Sequence, residues 1–457
     1  MDTDTEVGGS GERGNSSSPG NATDNTSPPS GNKQTSFWIW LQVVGMGVLG
    51  VAGIQTILAN SGNFFAAVCA PVEAGGMGFA VNEFALWLTC TTYCMAFSQL
   101  YVGRLWLKLK TPLLLTGSFL VCMIAFALMG TYSELWQWYF SGIVIGLSGG
   151  FFFMVGAPII VTNWFAKRSA FALGVVTIIG ALGAAILSLV QATIIAAFGW
   201  RMAYLLVAAI SVVIALPFTL FVVRFKPEDK GLKPYGWETG METITAGDKR
   251  ASGTSVKRGL LSIPFAALFV AVGFCALFGG YQNLWPLAAE EWGYGVQFGS
   301  LMISTTALFG LIAPLLGTLI DRLGAYPSVF IILGAQLLSG LGILFFHANQ
   351  AVLLIAIFFF ADQMTVVGTL VPLVIRKMFG ARNYTKILGY AQLGVGLIGG
   401  LSAPIVSTLM VTFNTFNATL VFAAFLSVGS ALFFLIAFVT RRTLKWEGRS
   451  EEQNEMA

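Results

Sequence analysis

Apolar residues run along this chain in long blocks separated by short polar breaks. The blocks lie at 37–69, 81–103, 111–131, 136–162, 169–197, 202–223, 262–287, 298–320, 327–347, 351–375, 387–412 and 418–439. About 20 apolar residues let a helix cross a bilayer, and inside lipid each segment must pair its own backbone N–H and C=O groups. Each block is therefore read as a helix. The pattern predicts an all-α polytopic membrane protein with twelve transmembrane helices. The longest internal polar break, 224–261, divides them into two halves of six. The domain plan that follows is a polar tail at 1–36, a six-helix bundle at 37–223, a linker at 224–261, a second bundle at 262–440 and a tail at 441–457. The first tail is rich in Ser, Gly, Asn, Pro, Asp and Thr, has little to bury, and is expected to be disordered.

Composition narrows the function classes. Hydrophobic residues make up 56% of the 457 and charged residues only 10%, with 38 Phe and a mean hydropathy of +0.77. Soluble domains carry roughly 25% charged residues. A soluble enzyme, a nucleic-acid binder and a secreted disulfide scaffold are all excluded. Cys69, Cys90, Cys94, Cys122 and Cys275 fall in or beside apolar blocks without metal spacing and read as small apolar fillers. No Gly-x-x-x-x-Gly-Lys-Ser/Thr loop occurs, so no nucleotide powers the protein. No metal, cofactor or catalytic cluster is expected.

The charges set the orientation. Of the 25 Lys and Arg residues, all but Arg201 fall on one side when the loops are taken alternately. The positive-inside rule then places both termini and the linker in the cytoplasm, in a plasma-membrane protein. Trp38, Trp40, Trp106, Trp136, Trp138, Trp164, Trp200 and Trp292 lie near block ends, where interfacial anchors are expected.

The halves echo each other. Gly103-Arg-Leu-Trp-Leu-Lys follows the second block, and Gly317-Thr-Leu-Ile-Asp-Arg-Leu-Gly324 follows the eighth, 214 positions on. Phe165-Ala-Lys-Arg168 with Leu173-Gly174 is matched by Phe379-Gly-Ala-Arg382 with Leu388-Gly389. Landmarks repeated at one offset predict two pseudo-symmetric six-helix bundles, an arrangement many transporters use for alternating access.

These features together resemble the major facilitator superfamily across about 37–440. Gly317, Asp321, Arg322 and Gly324 match its loop motif, whereas the first-half copy has Leu107 in the acid's place and Lys110 in that of the second Gly. Trp164-Phe-Ala-Lys-Arg-Ser-Ala-Phe-Ala-Leu-Gly174, with Gly180 and Gly183, is similar to the fifth-helix signature of the monocarboxylate porters and the oxalate/formate antiporter relatives. The run Arg224-Phe-Lys-Pro-Glu-Asp-Lys-Gly-Leu-Lys-Pro-Tyr-Gly236 is also similar to those groups. Two features depart from them. The acidic Trp motif of the first helix is missing, and no Lys or Arg sits inside a block. The resemblance implies a secondary carrier of a small organic solute, a monocarboxylate or related organic anion, moved by symport or antiport. It implies inner-gate roles for Asp321, Arg322, Lys167 and Arg168. A carrier or exporter of a cationic or neutral compound recognised by Asp362 is the alternative.

Candidate chemistry concentrates on a few polar residues. Asp362 lies near the centre of the tenth block, with Thr365 and Thr369 on its helical face. A midplane carboxylate costs roughly 2.5–3.5 kcal/mol on insertion scales, so it needs a cavity or a partner. It reads as a proton-coupling or cation-binding site, or as a buried acid bonded to neighbouring helices. Asn63 and Asn283 occupy similar places late in the first and seventh blocks. They are substrate amides or polar glue between helices, and Gln55, Tyr281 and Gln282 share that ambiguity. The expected partners are a small-molecule substrate, protons as the coupling ion, and the lipid bilayer. No nucleic acid is expected, and the protein is read as functional as a monomer.

Overall fold

The computed structural model describes residues 31–108, 110–151, 156–165, 169–235, 253–312, 316, 320, 322–361, 366–380 and 383–444. Among these, helix occupies all twelve predicted blocks. No strand forms; only isolated bridges pair Phe165 with Tyr235 and Gly253 with Gly380. The helices are α1 (31–69), α2 (81–108), α3 (Thr111–Thr131), α4 (Leu135–Gly149 and Gly156–Trp164), α5 (169–198), α6 (200–222), α7 (263–291), α8 (Val296–Leu311), α9 (Ala325–Phe346), α10 (Gln350–Phe360 and 366–379), α11 (384–413) and α12 (416–443).

Between α5 and α6 helical hydrogen bonding runs almost without interruption. The chain turns at Gly199, φ 76° and ψ 161°, a region open to glycine alone among common residues. Gly324, before α9, has φ 86° and ψ 161°. Lys110, its counterpart in the first half, turns at φ −65° and ψ 130°, where any residue fits. The missing first-half glycine of the loop motif thus has a local explanation. Gly324→Ala is expected to cost about 1–3 kcal/mol and lower the thermal midpoint. An unchanged midpoint would show that the turn relaxes freely.

Close approach of α2 and α4 depends on small residues. A Cβ on Gly142 or Gly146 would lie 2.6 Å from the Trp87 carbonyl oxygen or 2.3 Å from that of Thr91. Packing at the end away from the termini is aromatic. Phe64, Phe126, Trp138, Trp200 and Tyr204 interlock there, with Phe64 stacked on Tyr204 at 4.0 Å. This corrects part of the anchor expectation. Trp138 and Trp164 are 0% exposed and Trp200 5%, whereas Trp136 is 64% exposed. Trp164 Nε1 donates to the Arg224 carbonyl and Trp200 Nε1 to that of Gly75, so both indoles hold chain turns rather than lipid.

Both described ends of the linker are fastened in the same way. Tyr235 N donates to the Trp164 carbonyl at 2.8 Å, and Thr254 N donates to the Phe379 carbonyl at 2.9 Å. Asn163 Nδ2 holds the Phe225 carbonyl, and Asn383 Nδ2 that of Thr254. Residues 224–235 are thus joined to the end of α4 and residues 253–255 to the end of α10. Lys230 Nζ lies 3.2 Å from the centroid of the Trp38 ring. Burial, and then the nearby Arg224, holds its amine below the usual lysine range.

Candidate functional site

Polar side chains converge where the two bundles meet, at the end away from the termini. The π-helical stretch Val51–Ala59 of α1 leads into the turn Asn60-Ser61, and such widened turns often mark functional positions. Asn63, one turn on, is fully buried. Its Nδ2 donates to the Ser188 carbonyl at 3.0 Å and to Gln191 Oε1 at 3.2 Å on α5. Its Oδ1 accepts from Ser300 Oγ on α8 at 2.7 Å. Gln191 Nε2 returns to the Thr56 carbonyl. One carboxamide therefore joins α1, α5 and α8.

Further bonds cross between the halves. Ser61 Oγ donates to Asn283 Oδ1 at 2.7 Å, and Gln282 Nε2 to the Ala59 carbonyl at 3.0 Å, joining α1 to α7. Ser188 Oγ donates to the Ser300 carbonyl and Ser304 Oγ to that of Ala185, joining α5 to α8. Thr89 Oγ1 donates to the Gly400 carbonyl at 2.7 Å, joining α2 to α11. The α2–α11 and α5–α8 contacts are pseudo-equivalent, and α1–α7 lies on the pseudo-symmetry axis. Small apolar contacts continue to mid-depth, where a Cβ on Gly310 or Gly396 would meet Ala181 at 2.9 Å or Ala96 at 3.3 Å. Nearer the termini, no hydrogen bond joins the bundles among the described residues.

Every group in this seam is neutral. Lysine and arginine stay at helix ends wherever they are described. Arg201 donates to the Gly130 and Tyr132 carbonyls and lies 4.3 Å over Trp200, away from the interface. Arg441 and Lys377 sit over Tyr326 at the terminal end.

The sequence-predicted residues divide accordingly. Asn63, Gln282 and Asn283 are drawn together in the seam, committed to helix–helix bonds. Tyr281 is buried inside the second bundle, where its hydroxyl donates to the Thr419 carbonyl. Gln55 stands apart, half-buried beside Gly180 of α5; its carbonyl accepts from the Asn60 N–H at 3.0 Å, and its side chain makes no hydrogen bond to a described residue. Thr369 falls in the helical turn Val366–Leu370, with its side chain outside the description. Arg322 is exposed just before Gly324. Asp362, Thr365, Asp321, Lys167 and Arg168 lie outside the described residues. Sequence reading missed Ser61, Thr89, Ser188, Gln191, Ser300 and Ser304. The available signal was small hydroxyl and amide side chains inside apolar blocks, the usual glue of membrane helices.

Glu291 has a structural task. Its carboxylate accepts from Thr415 Oγ1 and from the Phe416 N–H, closing the start of α12.

Two bundles sealed at one end by exchangeable neutral bonds make up the architecture of a secondary transporter, not an enzyme. The chain belongs to the Major Facilitator Superfamily, whose sequence model matches residues 51–375. Among solved structures it is similar to the nucleoside transporter NupG, at 12% identity and a TM-score of 0.65 over 87% of this chain and 98% of that one. It is also similar to a bacterial homologue of the human lysosomal transporter Spinster in an inward-facing, occupied conformation, at 13% identity and TM-score 0.61 over 91% and 98%. A POT family transporter in complex with 5-aminolevulinic acid is similar at 12% identity and TM-score 0.62 over 90% and 96%. No curated protein sequence gives a significant match. The protein is thus an integral membrane transporter of a small molecule.

Proposed function

We propose that the protein carries a monocarboxylate or related small organic anion across the plasma membrane by alternating access, as a monomer with both termini in the cytoplasm. The seam around Asn63 carries this reading. Among the described residues its hydrogen bonds join the bundles from the far end, and with cytoplasmic termini that makes it a closed outer gate. Gln55 lies just beneath it on α1 and is free to meet a solute. Asp362 is the coupling carboxylate, with Thr365 and Thr369 three and seven positions on in the sequence, and an acid within an apolar block is suited to holding a proton. Coupling is to protons or by exchange. Asp321, Arg322, Lys167 and Arg168 serve the inner gate. The fifth-helix resemblance supports an organic anion, bound here by neutral donors.

One observation favours a second reading. The described basic side chains all lie at helix ends, so a cationic or neutral solute recognised by Asp362 fits the same path. Thermal stabilisation of the purified protein by small carboxylates, nucleosides, dipeptides and organic amines separates the two, followed by counterflow of labelled lactate in proteoliposomes. Stabilisation by a carboxylate, with lactate counterflow, is expected. Stabilisation by amines alone would replace the anion by the second reading.

A further inference from the structure

The end of α6 holds more cationic donors than its own cap employs. Arg224 Nη1 donates to the Leu220 and Val223 carbonyls, Lys230 Nζ to that of Phe221 at 3.5 Å, and Gln42 Nε2 to that of Val222. Cations suit the last turn of a helix, whose carbonyls have no partner within it. That task engages one guanidinium nitrogen of Arg224; Nε and Nη2 have no acceptor among the described residues. Lys226 and Lys233 stand exposed in the same segment. No ion pair joins any of these four cations to an acid among the described residues. Asp229, next to Lys230 in the chain, accepts from the Lys226 backbone N–H instead, and Glu228 is exposed.

The two inner cations are held in place. Lys230 Nζ lies 3.2 Å from the centroid of the Trp38 ring near the start of α1. One turn further along α1, Gln42 Oε1 accepts from the Arg224 N–H at 2.9 Å, which straps α1 to the end of α6. Burial and then the charge of Arg224 hold the Lys230 amine below the usual lysine range, so two like charges are confined near each other. An anion shared by both relieves that repulsion, and a guanidinium beside an ammonium is a ready set of donors for a phosphate.

What lies beside the cations separates a lipid from a soluble anion. Val213, Pro217 and Phe221 follow one another at four-residue spacing on one exposed face of α6, with Val213 72% and Phe221 69% exposed. This apolar stripe leads along α6 to the turn where Arg224 sits. Phe37 and Trp38 stand at the same end of the bundle, as residues at a headgroup boundary do. A headgroup phosphate and the chain attached to it match the two surfaces together; free phosphate matches the first alone. We infer that Arg224 and Lys230 hold the phosphate of an anionic phospholipid, whose acyl chain lies along Val213, Pro217 and Phe221. Contact of Lys230 with Trp38 presents the amine at the level of the headgroups. The site needs a membrane and no particular solute, so it stands whichever solute is carried. Because residues 224–235 are joined to the end of α4, the bound lipid ties that end of the first bundle to the bilayer.

Native mass spectrometry of the full-length protein tests this by counting bound lipid as phosphatidylglycerol, or phosphatidylcholine with the same chains, is added. Phosphatidylglycerol is expected to bind more tightly, and Lys230→Gln and Arg224→Gln each to weaken it by about fivefold. Lys230→Arg keeps the charge and should keep the affinity. Arg258→Gln removes an exposed cation just before α7 and should leave it unchanged. An equal loss in Arg258→Gln would mean diffuse attraction to surface charge and overturn the site. Displacement of phosphatidylglycerol by millimolar inorganic phosphate would make it a soluble-anion site and overturn the lipid. Equal affinity for the two lipids, or a Lys230→Gln protein that melts earlier yet binds phosphatidylglycerol as before, would leave the cations with the helix cap alone and overturn it as well. Should Arg224→Gln lose its cap and fail to fold, Lys230→Gln against Lys230→Arg decides.

Discussion

Asn63→Leu is expected to unlatch the bundles at the end away from the termini. The substitution strands Gln191 Oε1 and the Ser300 hydroxyl, both held in the native seam by one carboxamide. Ser300 can fall back on the Val296 carbonyl at 3.2 Å, so its loss is partial. Leaving buried polar groups unpaired costs about 1–3 kcal/mol each, and about 2–4 kcal/mol is a fair total here. Where the two ends alternate in a balanced equilibrium, that shifts the population by roughly thirtyfold or more. A cysteine placed at Gln55 reports it, since an impermeant thiol reagent reaches that position from the far side only when the seam parts. Ser300→Ala, which removes one cross-bundle arm and leaves Asn63 to the first bundle, should move labelling the same way by less. Equal labelling in wild type and both variants would mean that the seam does not gate.

Asp362→Asn is expected to abolish accumulation driven by a pH gradient while exchange of internal for external solute persists. A carboxylate at midplane costs roughly 2.5–3.5 kcal/mol, and the neutral amide avoids that cost, so the variant should fold at least as well as the parent. On the proposed coupling role, what it should lose is the capacity to take up a proton on one side and release it on the other. Parallel measurement of gradient-driven uptake and of counterflow in the same proteoliposomes separates the two. Undiminished gradient-driven uptake would place the coupling elsewhere.

The helices were legible because lipid imposes one rule on every segment, and twelve blocks obey it. Depth and partnership were less legible. Trp138, Trp164 and Trp200 stand near block ends as anchors do, yet aromatic packing and carbonyl acceptors drew them inward. Sequence position reports height in the membrane but not which face of the helix meets lipid. Asn63 was visible as a polar residue in an apolar block. Its partners Ser188 and Ser300 stand 125 and 237 positions away, and nothing local announces them. Tyr281, adjacent to two seam residues, faces Thr419 instead, because successive residues on a helix point about 100° apart.

The fastening of the linker ends has a bearing on how the molecule is built. Tyr235 closes the last turn of α4 and Thr254 that of α10, each by a backbone bond within its own half. Each half thus carries its own cap, made from chain that a boundary at 224 or 261 would have discarded. Duplication of an ancestral six-helix unit could then proceed without inventing new ends, and translation can finish the first bundle, cap included, before the ribosome reaches the second.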